Sequence, residues 1–285
     1  MKICAFFPTR DIGCDPVKVR DWSQAAEDLG YASIEVPDHV FGAAPRDGWS
    51  PRYSDQDPFH EVFVMLGYLA GATTTIELTT GVLILPQRQT GVVAKQAAEV
   101  DILSGGRLRL GIGVGWNPVE YQALGMEWSH RGACQEEQVE VLRQLWTQDL
   151  VTYQGKFHDL REVNITPPPV QRPIPVWFGG SSNAVIKRAA RWGDGWMPIM
   201  NPGVPAEKKL ALLRSELEYH GRDVAEFGLE AWLRVETPEP DAWASAAADW
   251  SKLGATRVLL YPMYRMTSLD EQIATLRRFK EVVAS

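Results

Sequence analysis

The sequence predicts a single α/β domain whose strands close into a (β/α)8 TIM barrel, with insertion loops at the C-terminal face. Eight strand-like runs alternate with helical patterns along the 285 residues of the chain. No linker or shift in composition divides it, so we take residues 1–285 as one domain, a length that such barrels commonly reach. An open doubly wound sheet is the alternative, but no Rossmann-length repeat is found, which favours the closed barrel.

The strand and helix signals follow one another in the order that a barrel requires. We predict strands at 3–8, 33–37, 76–85, 108–114, 176–178, 195–199, 229–235 and 257–262. Between the first two strands, the pattern predicts a helix at 16–29 whose two ends are well marked. Asp15 is a favourable N-cap, Pro16 suits the first helical position, and Gly30 is typical of the residue that follows a helix.

Two connections are too long to be turns, and loops of such length commonly cover a functional site. Residues 41–60 follow the C-terminal end of the second strand, which in a barrel lies on the catalytic face. This loop carries Trp49, Tyr53, Asp55, Asp57, Phe59 and His60. We select Trp49 and His60 from it as substrate contacts. The second connection, 151–175, contains a predicted hairpin with Gly155 at its turn, which we expect to pack outside the barrel.

The composition excludes several classes of function. A net charge of -7 and an isoelectric point near 5.4 give no basic surface for nucleic acid. No apolar run approaches the roughly 20 residues that cross a bilayer, and the N-terminus runs directly into a strand, so we expect a cytoplasmic protein with no membrane partner. The three cysteines and five histidines have neither disulfide nor metal-ligand spacing, and we predict no metal.

Reactive residues of a barrel lie just after the ends of its strands, and the second and third strands offer candidates there. Asp38 and His39 follow the second strand, where the pair could move a proton or orient a bound ring; the alternative is a capped loop start. In the third strand, Thr80, Gly81 and Val82 place a glycine within a β-branched run. Such a glycine indicates a bulge or a close backbone approach, with or without a flat ligand against it.

A run of alternating glycines ends the fourth predicted strand. Gly111, Gly113 and Gly115 lie on one strand face and are followed by Trp116 and Asn117. The spacing fails the dinucleotide fingerprint, so the run is not evidence for NAD. Either the glycines leave the mouth of the barrel open for a planar ring system beside Trp116, or they serve tight packing within the barrel.

A double glycine ends the fifth predicted strand and precedes a helix predicted at 184–192. Gly179 and Gly180 are followed by Ser181 and further capping residues. Bare backbone amides and the helix dipole favour a phosphate at such a place, and glycine allows it to approach. Helix capping alone also explains a start of this kind.

Six segments carry a combined signal. They are VPDH at 36–39, TGVL at 80–83, VAKQAA at 93–98, LSGGRLRLGIGVGW at 103–116, FGGS at 178–181 and GDGW at 193–196. Together they closely resemble the luciferase-like monooxygenase superfamily, and in particular its F420-dependent oxidoreductases. The resemblance spans roughly residues 1–200, and it implies the barrel already predicted.

The resemblance implies a deazaflavin ring at the mouth of the barrel, with Asp38 and His39 beside its reactive carbon as the catalytic pair. It also implies a non-prolyl cis peptide at Gly81–Val82 behind the ring, and a phosphate held by residues 179–181. The expected cofactor contacts are Asp38, His39, Thr80, Gly81, Val82, Gly113, Gly115, Trp116, Asn117, Gly179, Gly180 and Ser181. Substrate contacts are expected at Trp49, His60 and Trp116, and the superfamily's common dimers imply a homodimer.

The predicted function is hydride transfer between C5 of coenzyme F420 and a small organic substrate, with His39 exchanging a proton. The resemblance has one departure, because the sugar-phosphate dehydrogenases of the superfamily carry an acidic residue where this chain has Trp116 and Asn117. Glucose 6-phosphate is therefore disfavoured, and a flatter or more apolar substrate is expected. Two alternatives stay open: an FMNH2-dependent monooxygenase with FMN as cofactor, and a non-catalytic flavin-binding barrel.

Overall fold

Parallel strands close into a barrel in the computed structural model, which describes residues 1–236, 239–263 and 265–284. The strands of these residues are β1 (Lys2–Phe6), β2 (Ser33–Val36), β3 (Glu77–Thr80), β4 (Leu83–Ile84), β5 (Leu108–Gly113), β6 (Val151–Gln154), β7 (Asp159–Val163), β8 (Val176–Gly179), β9 (Gly195–Met197), β10 (Gly228–Val235) and β11 (Arg257–Pro262). Around the barrel, hydrogen-bonded neighbours follow the order β1, β2, β3, β5, β8, β9, β10 and β11, with β4 beside β5. Strand β11 pairs with β1 at Arg257 and Lys2, so the closed barrel is confirmed and the open-sheet alternative is wrong.

Helices surround the barrel and fill the connections between its strands. Among the described residues they are α1 (Pro16–Asp28), α2 (Val62–Ala72), α3 (Thr90–Ser104), α4 (Pro118–Ala123), α5 (Arg131–Thr147), α6 (Asn183–Trp192), α7 (Val204–Tyr219), α8 (Pro240–Lys252) and α9 (Leu269–Ala284), with short 3-10 helices at Leu85–Gln87 and Val224–Glu226. The predicted start of α1 is confirmed, because the Asp15 carboxylate accepts the Val17 amide at 2.9 Å. Gly30 follows α1 with a φ of 75°. No helix in the described part of the chain is long and apolar enough to cross a membrane.

The third predicted strand is interrupted. Strands β3 and β4 are separated by Gly81 and Val82, whose peptide bond is cis, as the resemblance implies. Strand β3 pairs with β5 at Leu78 and β4 pairs with it at Leu83, five residues further on, whereas their partners at positions 108 and 112 are four residues apart. One extra residue on this side is the mark of a β-bulge. The bulge that the glycine indicates is therefore confirmed.

The two long connections occupy different sides of the barrel. The predicted hairpin is confirmed as the antiparallel pair β6 and β7, with Gly155 at its turn. It pairs with no other strand of the described residues, and it leans on α5, where the Tyr153 hydroxyl lies 3.2 Å from Oε2 of Glu140. Residues 41–60 instead fold over the C-terminal end of the barrel, where their aromatic rings meet His39.

The N-terminal half of the barrel interior holds an ionic cluster. Its members are Glu35, Glu77, Arg109, Glu230 and Arg257. Arg109 lies 2.6 Å from Glu77 and 2.7 Å from Glu230, and Arg257 completes the cluster at 2.8 Å from Glu77. Burial, and next the charge of Glu230, raise the pKa of Glu35 well above its ordinary value. When Glu35 is protonated and neutral, the two remaining carboxylates balance the charge of the two guanidinium groups.

Candidate active site

The candidate residues gather at one end of the barrel, because parallel strands bring their C-terminal ends together. His39 follows β2, Trp116 follows β5 and Ser181 follows β8, so the three lie on the same rim. Trp49 reaches this rim from the long loop, where its ring stacks on that of Trp116 with centroids 6.4 Å apart and planes 23° apart. The imidazole and the double-glycine segment therefore open toward the same end of the molecule.

His39 is held by a glutamate that the sequence analysis missed. Its Nδ1 atom lies 3.1 Å from Oε2 of Glu120, whose side chain is 1% exposed. The other carboxylate oxygen accepts the amides of Val40 and Phe41 at 2.6 and 3.2 Å. Burial raises the pKa of Glu120, but hydrogen bonds from His39 and the two amides outweigh it, so this pKa is lowered. Glu120 is therefore ionised, which keeps the proton of a neutral imidazole on Nδ1 and leaves Nε2 without a proton.

Asp38 does not orient the neighbouring imidazole. Its Oδ1 atom lies 2.6 Å from Nη2 of Arg88, and its Oδ2 atom accepts the amide of Ile84 at 2.9 Å. Burial raises the pKa of Asp38, while Arg88 and the Ile84 amide oppose that rise. Consecutive side chains of an extended segment point in opposite directions, so Asp38 and His39 take different partners. Asp38 thus ties the end of β2 to the segment after the bulge, and its place beside the reactive carbon stays a prediction.

An aromatic enclosure surrounds the imidazole. The ring centroids of Phe59, Tyr53 and Trp116 lie 4.8, 5.4 and 5.5 Å from that of His39. The Tyr53 hydroxyl lies 2.8 Å from that of Tyr261, which ties the loop to β11. With these rings around it, the side chain of His39 is only 9% exposed. The density of aromatic residues in the loop was the signal for Tyr53 and Phe59, which the sequence analysis placed there without a role.

Val82 accounts for two glycines of the rim. A Cβ atom at Gly113 would lie 2.7 Å from one methyl group of Val82, and a Cβ atom at Gly179 would lie 2.6 Å from the other. At Gly115, a Cβ atom would lie 2.8 Å from a methyl group of Ile84. These contacts favour the alternative of tight packing, and the cofactor contacts of Gly113 and Gly115 stay predictions. The bulge brings Val82 between β5 and β8, and the glycines make room for it.

Replacing Gly113 with alanine is expected to lower the free energy of unfolding by about 1–3 kcal/mol, because overpacking at this contact forces Val82 to shift. The double variant with Val82→Ala should recover most of this loss, since the obstructing methyl groups are gone. Gly91→Ala on α3 is the matched control, because a Cβ atom there meets nothing within 4 Å. Urea denaturation of the variants checks the prediction, and purely additive losses would contradict the packing.

Two groups of the double-glycine segment are engaged within the protein. The amide of Gly180 donates to the carbonyl oxygen of Met197 at 3.1 Å. The Ser181 hydroxyl lies 3.2 Å from both the amide and the carbonyl oxygen of Ile199. Both groups thus have partners in β9 and the segment after it, and the phosphate contacts of Gly180 and Ser181 stay predictions.

The start of α6 offers backbone amides one step further along the chain, and we call Gly179 with the first turn of α6 the anion seat. Ser182 is the N-cap, and its hydroxyl accepts the amide of Val185 at 3.3 Å. The amides of Asn183 and Ala184 precede any helical partner, as at every helix start. Unused amides and the positive end of the helix dipole form a favourable place for a phosphate.

The polar side-chain atoms of two other predicted contacts, Thr80 and His60, lie against backbone oxygens. The Thr80 hydroxyl donates to the carbonyl oxygen of Gly111 at 2.6 Å and is buried between β3 and β5. His60 places Nε2 3.3 Å from the carbonyl oxygen of Gly13, outside the aromatic enclosure. The cofactor contact of Thr80 and the substrate contact of His60 stay predictions.

Asn117 acts on the site indirectly. Its Oδ1 atom accepts the amides of Val119 and Glu120 at 3.0 and 3.3 Å, so it is the N-cap of α4, while its cofactor contact stays a prediction. This cap fixes the first turn of α4, which presents Glu120 to His39. An asparagine followed three residues later by a glutamate is the pattern of a capping box, and it was the signal from which Glu120 could have been found.

The comparisons with known proteins place the chain in a family. A family model for luciferase-like monooxygenases matches residues 5–280, and the chain belongs to this family of oxidoreductases. An uncharacterized protein of Mycobacterium tuberculosis is 37% identical over 182 residues, which are 61% of this chain and 62% of that protein, so the match spans less than two thirds of that relative. An F420-dependent glucose-6-phosphate dehydrogenase of Kineococcus radiotolerans is 29% identical over 248 residues, 85% of this chain and 70% of that protein.

Solved structures share the whole barrel. A monooxygenase from Streptomyces bottropensis superimposes with a TM-score of 0.84 at 21% identity, covering 100% of this chain and 99% of that one. A coenzyme F420 dependent tetrahydromethanopterin reductase from Methanopyrus kandleri gives a TM-score of 0.81 at 15% identity, covering 99% and 98%. At these identities the likeness shows the fold alone.

Proposed function

We propose that this protein is a coenzyme F420-dependent oxidoreductase that transfers a hydride between C5 of the deazaflavin and a small organic substrate. The observation that carries the proposal is the setting of His39. Its Nδ1 atom is held by an ionised Glu120, and aromatic rings enclose it. The name of the Kineococcus relative supports F420 as the cofactor.

The residues present fit a deazaflavin nucleotide at both of its ends. The anion seat would hold the phosphate through the amides of Asn183 and Ala184. The ring would lie against Val82, whose half-buried side chain stands between Gly113 and Gly179 at the mouth of the barrel. Bound there, F420 supplies the hydride chemistry at C5, and the protein supplies position, a proton carrier and a dry site.

The chain's own contribution is to move one proton and to exclude water. When an alcohol is oxidised, Nε2 of His39 takes the hydroxyl proton as the hydride leaves the carbon; in the reverse direction it returns the proton to the carbonyl oxygen. Glu120 stabilises the imidazolium that forms, because its carboxylate lies 3.1 Å from Nδ1. The aromatic enclosure keeps water from the reacting carbon.

The same enclosure indicates the class of substrate. Trp49, Trp116, Tyr53 and Phe59 present ring faces and edges around the imidazole. Aromatic surfaces of this kind bind flat or apolar bodies, while a few polar groups fix orientation. We therefore assign to the site a small uncharged molecule with a planar or apolar body and one hydroxyl or carbonyl group.

The proposal also includes a second copy of the chain, as the resemblance implies. Helix α2 exposes Val64 and Tyr68, which are 73% and 42% exposed, and neighbouring α3 exposes Val92 at 49%. Exposed apolar side chains that lie together are typical of association surfaces. A homodimer would cover them.

Fluorescence titration of the purified protein with F420 and with F420H2 tests the proposed function. We expect dissociation constants in the micromolar range or below, because the ring and the phosphate are held at separate ends. FMNH2 and oxygen form the comparison, since oxygen consumption above the uncatalysed background would favour the monooxygenase alternative. Failure of the protein to bind either form of F420 would remove the proposal.

A further inference from the structure

A groove adjoins the anion seat, between the first turns of α6 and α7. Its cavity of 520 Å³ is lined by Asn183, Val204, Pro205, Lys208, Lys209 and Leu212. Asn183 is the first residue of α6, and its amide belongs to the anion seat. The groove therefore begins where the seat ends, and a molecule that extends beyond its phosphate has this groove next to it.

The charge of the groove is opposite to that of the whole protein. The chain carries a net charge of -7, yet among the described residues the six that line the groove include two lysines and no acid. Nζ of Lys209 donates to Oδ1 of Asn183 at 2.5 Å, which directs this ammonium group toward the seat. Lys208 has no ion-pair partner within residues 1–236, 239–263 and 265–284, whereas Lys187 on the side of α6 pairs with Glu216 at 3.2 Å.

The groove also has an apolar component. Val204, Pro205 and Leu212 line it, and they lie along one side of α7 with the two lysines. A ligand that suits this lining is a flexible chain with carboxylates at intervals and short hydrocarbon links between them. Lysine ammonium groups pair with carboxylates as point charges and tolerate several geometries, which matches a chain without one fixed conformation.

We propose that this groove binds the anionic extension that F420 carries beyond its phosphate, a lactyl group followed by glutamates, which FMN lacks. The inference rests on the proposed function and names a determinant of its cofactor choice. Lys208 and Lys209 pair with glutamyl carboxylates, and Val204 and Leu212 contact the links between them. FMN ends at the phosphate, so it leaves the groove without a ligand.

The test compares two forms of the cofactor on the full chain. The probes are F420 with several glutamates and the form that ends at the phospholactyl group, with binding followed by fluorescence. The double variant Lys208→Ala/Lys209→Ala is expected to raise the dissociation constant of the long form roughly fivefold, as for two exposed ion pairs. The short form should change by less than about twofold, because it lacks the glutamyl carboxylates with which the two lysines pair. Lys187→Ala is the matched control and should change neither constant.

Three other results would overturn the inference, and each indicates a different cause. An equal loss for both forms would assign the lysines to the phosphate or to the fold, and the melting temperature of the variant separates these two. Equal binding of both forms by the wild type, unchanged in the variant, would remove the groove as a tail site while F420 stays the cofactor. If neither form binds the wild type, this inference fails together with the proposed function.

Discussion

Replacing His39 with alanine is expected to lower kcat by about 10²–10⁴-fold, the range that a positioned acid–base group contributes. Affinity for F420 should stay within a few fold, because the anion seat and Val82 are untouched. The measurement is the rate of F420 absorbance change with an alcohol or ketone that the wild type converts. Added imidazole should restore part of the rate. An unchanged kcat would contradict the role of His39 and favour the non-catalytic alternative.

Glu120→Gln separates the proton carrier from the residue that positions it. Glutamine has the same size, but its amide donates to Nδ1 of His39, so the imidazole proton moves to Nε2, the atom that takes the hydroxyl proton in the proposed function. We expect kcat to fall about 10–100-fold, with little change in KM. This is the range found when the hydrogen-bond partner of a metal-binding histidine is replaced. Glu127→Gln is the matched control, because Glu127 is an exposed acid just after α4. Equal effects of both substitutions would contradict the positioning role.

The parts of the fold that could be predicted from the sequence depend on neighbours along the chain. Asp15 and Pro16 mark the start of α1 because an N-cap acts within its own turn. Alternation of strands and helices gave the barrel for the same reason, and the rule that strand ends meet on one rim placed His39 and Trp116 together. In these cases the structure follows from a local pattern, or from a general rule about where parallel strands end.

The missed parts depend on residues far apart in the sequence. Glu120 and His39 are 81 positions apart, and Arg88 and Asp38 are 50 apart. A capping pattern predicts the helix that carries Glu120, but it cannot tell which side chain that carboxylate meets. The glycine run left two alternatives because the space above Gly113 belongs to a side chain of another strand segment.

The ionic cluster lies directly under the bulge, which links the stability of the barrel to the site. A Cβ atom at Gly81 would lie 3.1 Å from Oε2 of Glu35, so the backbone behind Val82 rests on this buried carboxyl group. A side chain at this position would require Glu35 to shift. A change in the protonation or position of Glu35 is therefore expected to shift the backbone that carries Val82.

Replacing Glu230 with glutamine is expected to lower the free energy of unfolding by about 3 kcal/mol, near the lower end for breaking a buried ion pair. The reason is the loss of the carboxylate that lies 2.7 Å from Nη2 of Arg109, which is 3% exposed. The loss stays near the lower end because Glu35 can ionise in place of Glu230. Glu35→Gln is the matched variant in the same cluster and should cost less than about 1 kcal/mol near pH 6, since it replaces a neutral group with another of equal size.

The pH dependence of these variants has a definite sign. The pKa of Glu35 is raised in the folded protein above the value of about 4.3 that a glutamate has when unfolded. The stability contributed by its neutral form is complete below the unfolded value and is lost as the pH rises through the folded one. Glutamine does not titrate, so Glu35→Gln should gain stability relative to the wild type in urea unfolding as the pH rises above about 4.3, the unfolded value. The exposed Glu99→Gln should instead follow the wild type within about 0.5 kcal/mol. A difference between Glu35→Gln and the wild type that stays constant with pH would mean that Glu35 is charged in the folded barrel.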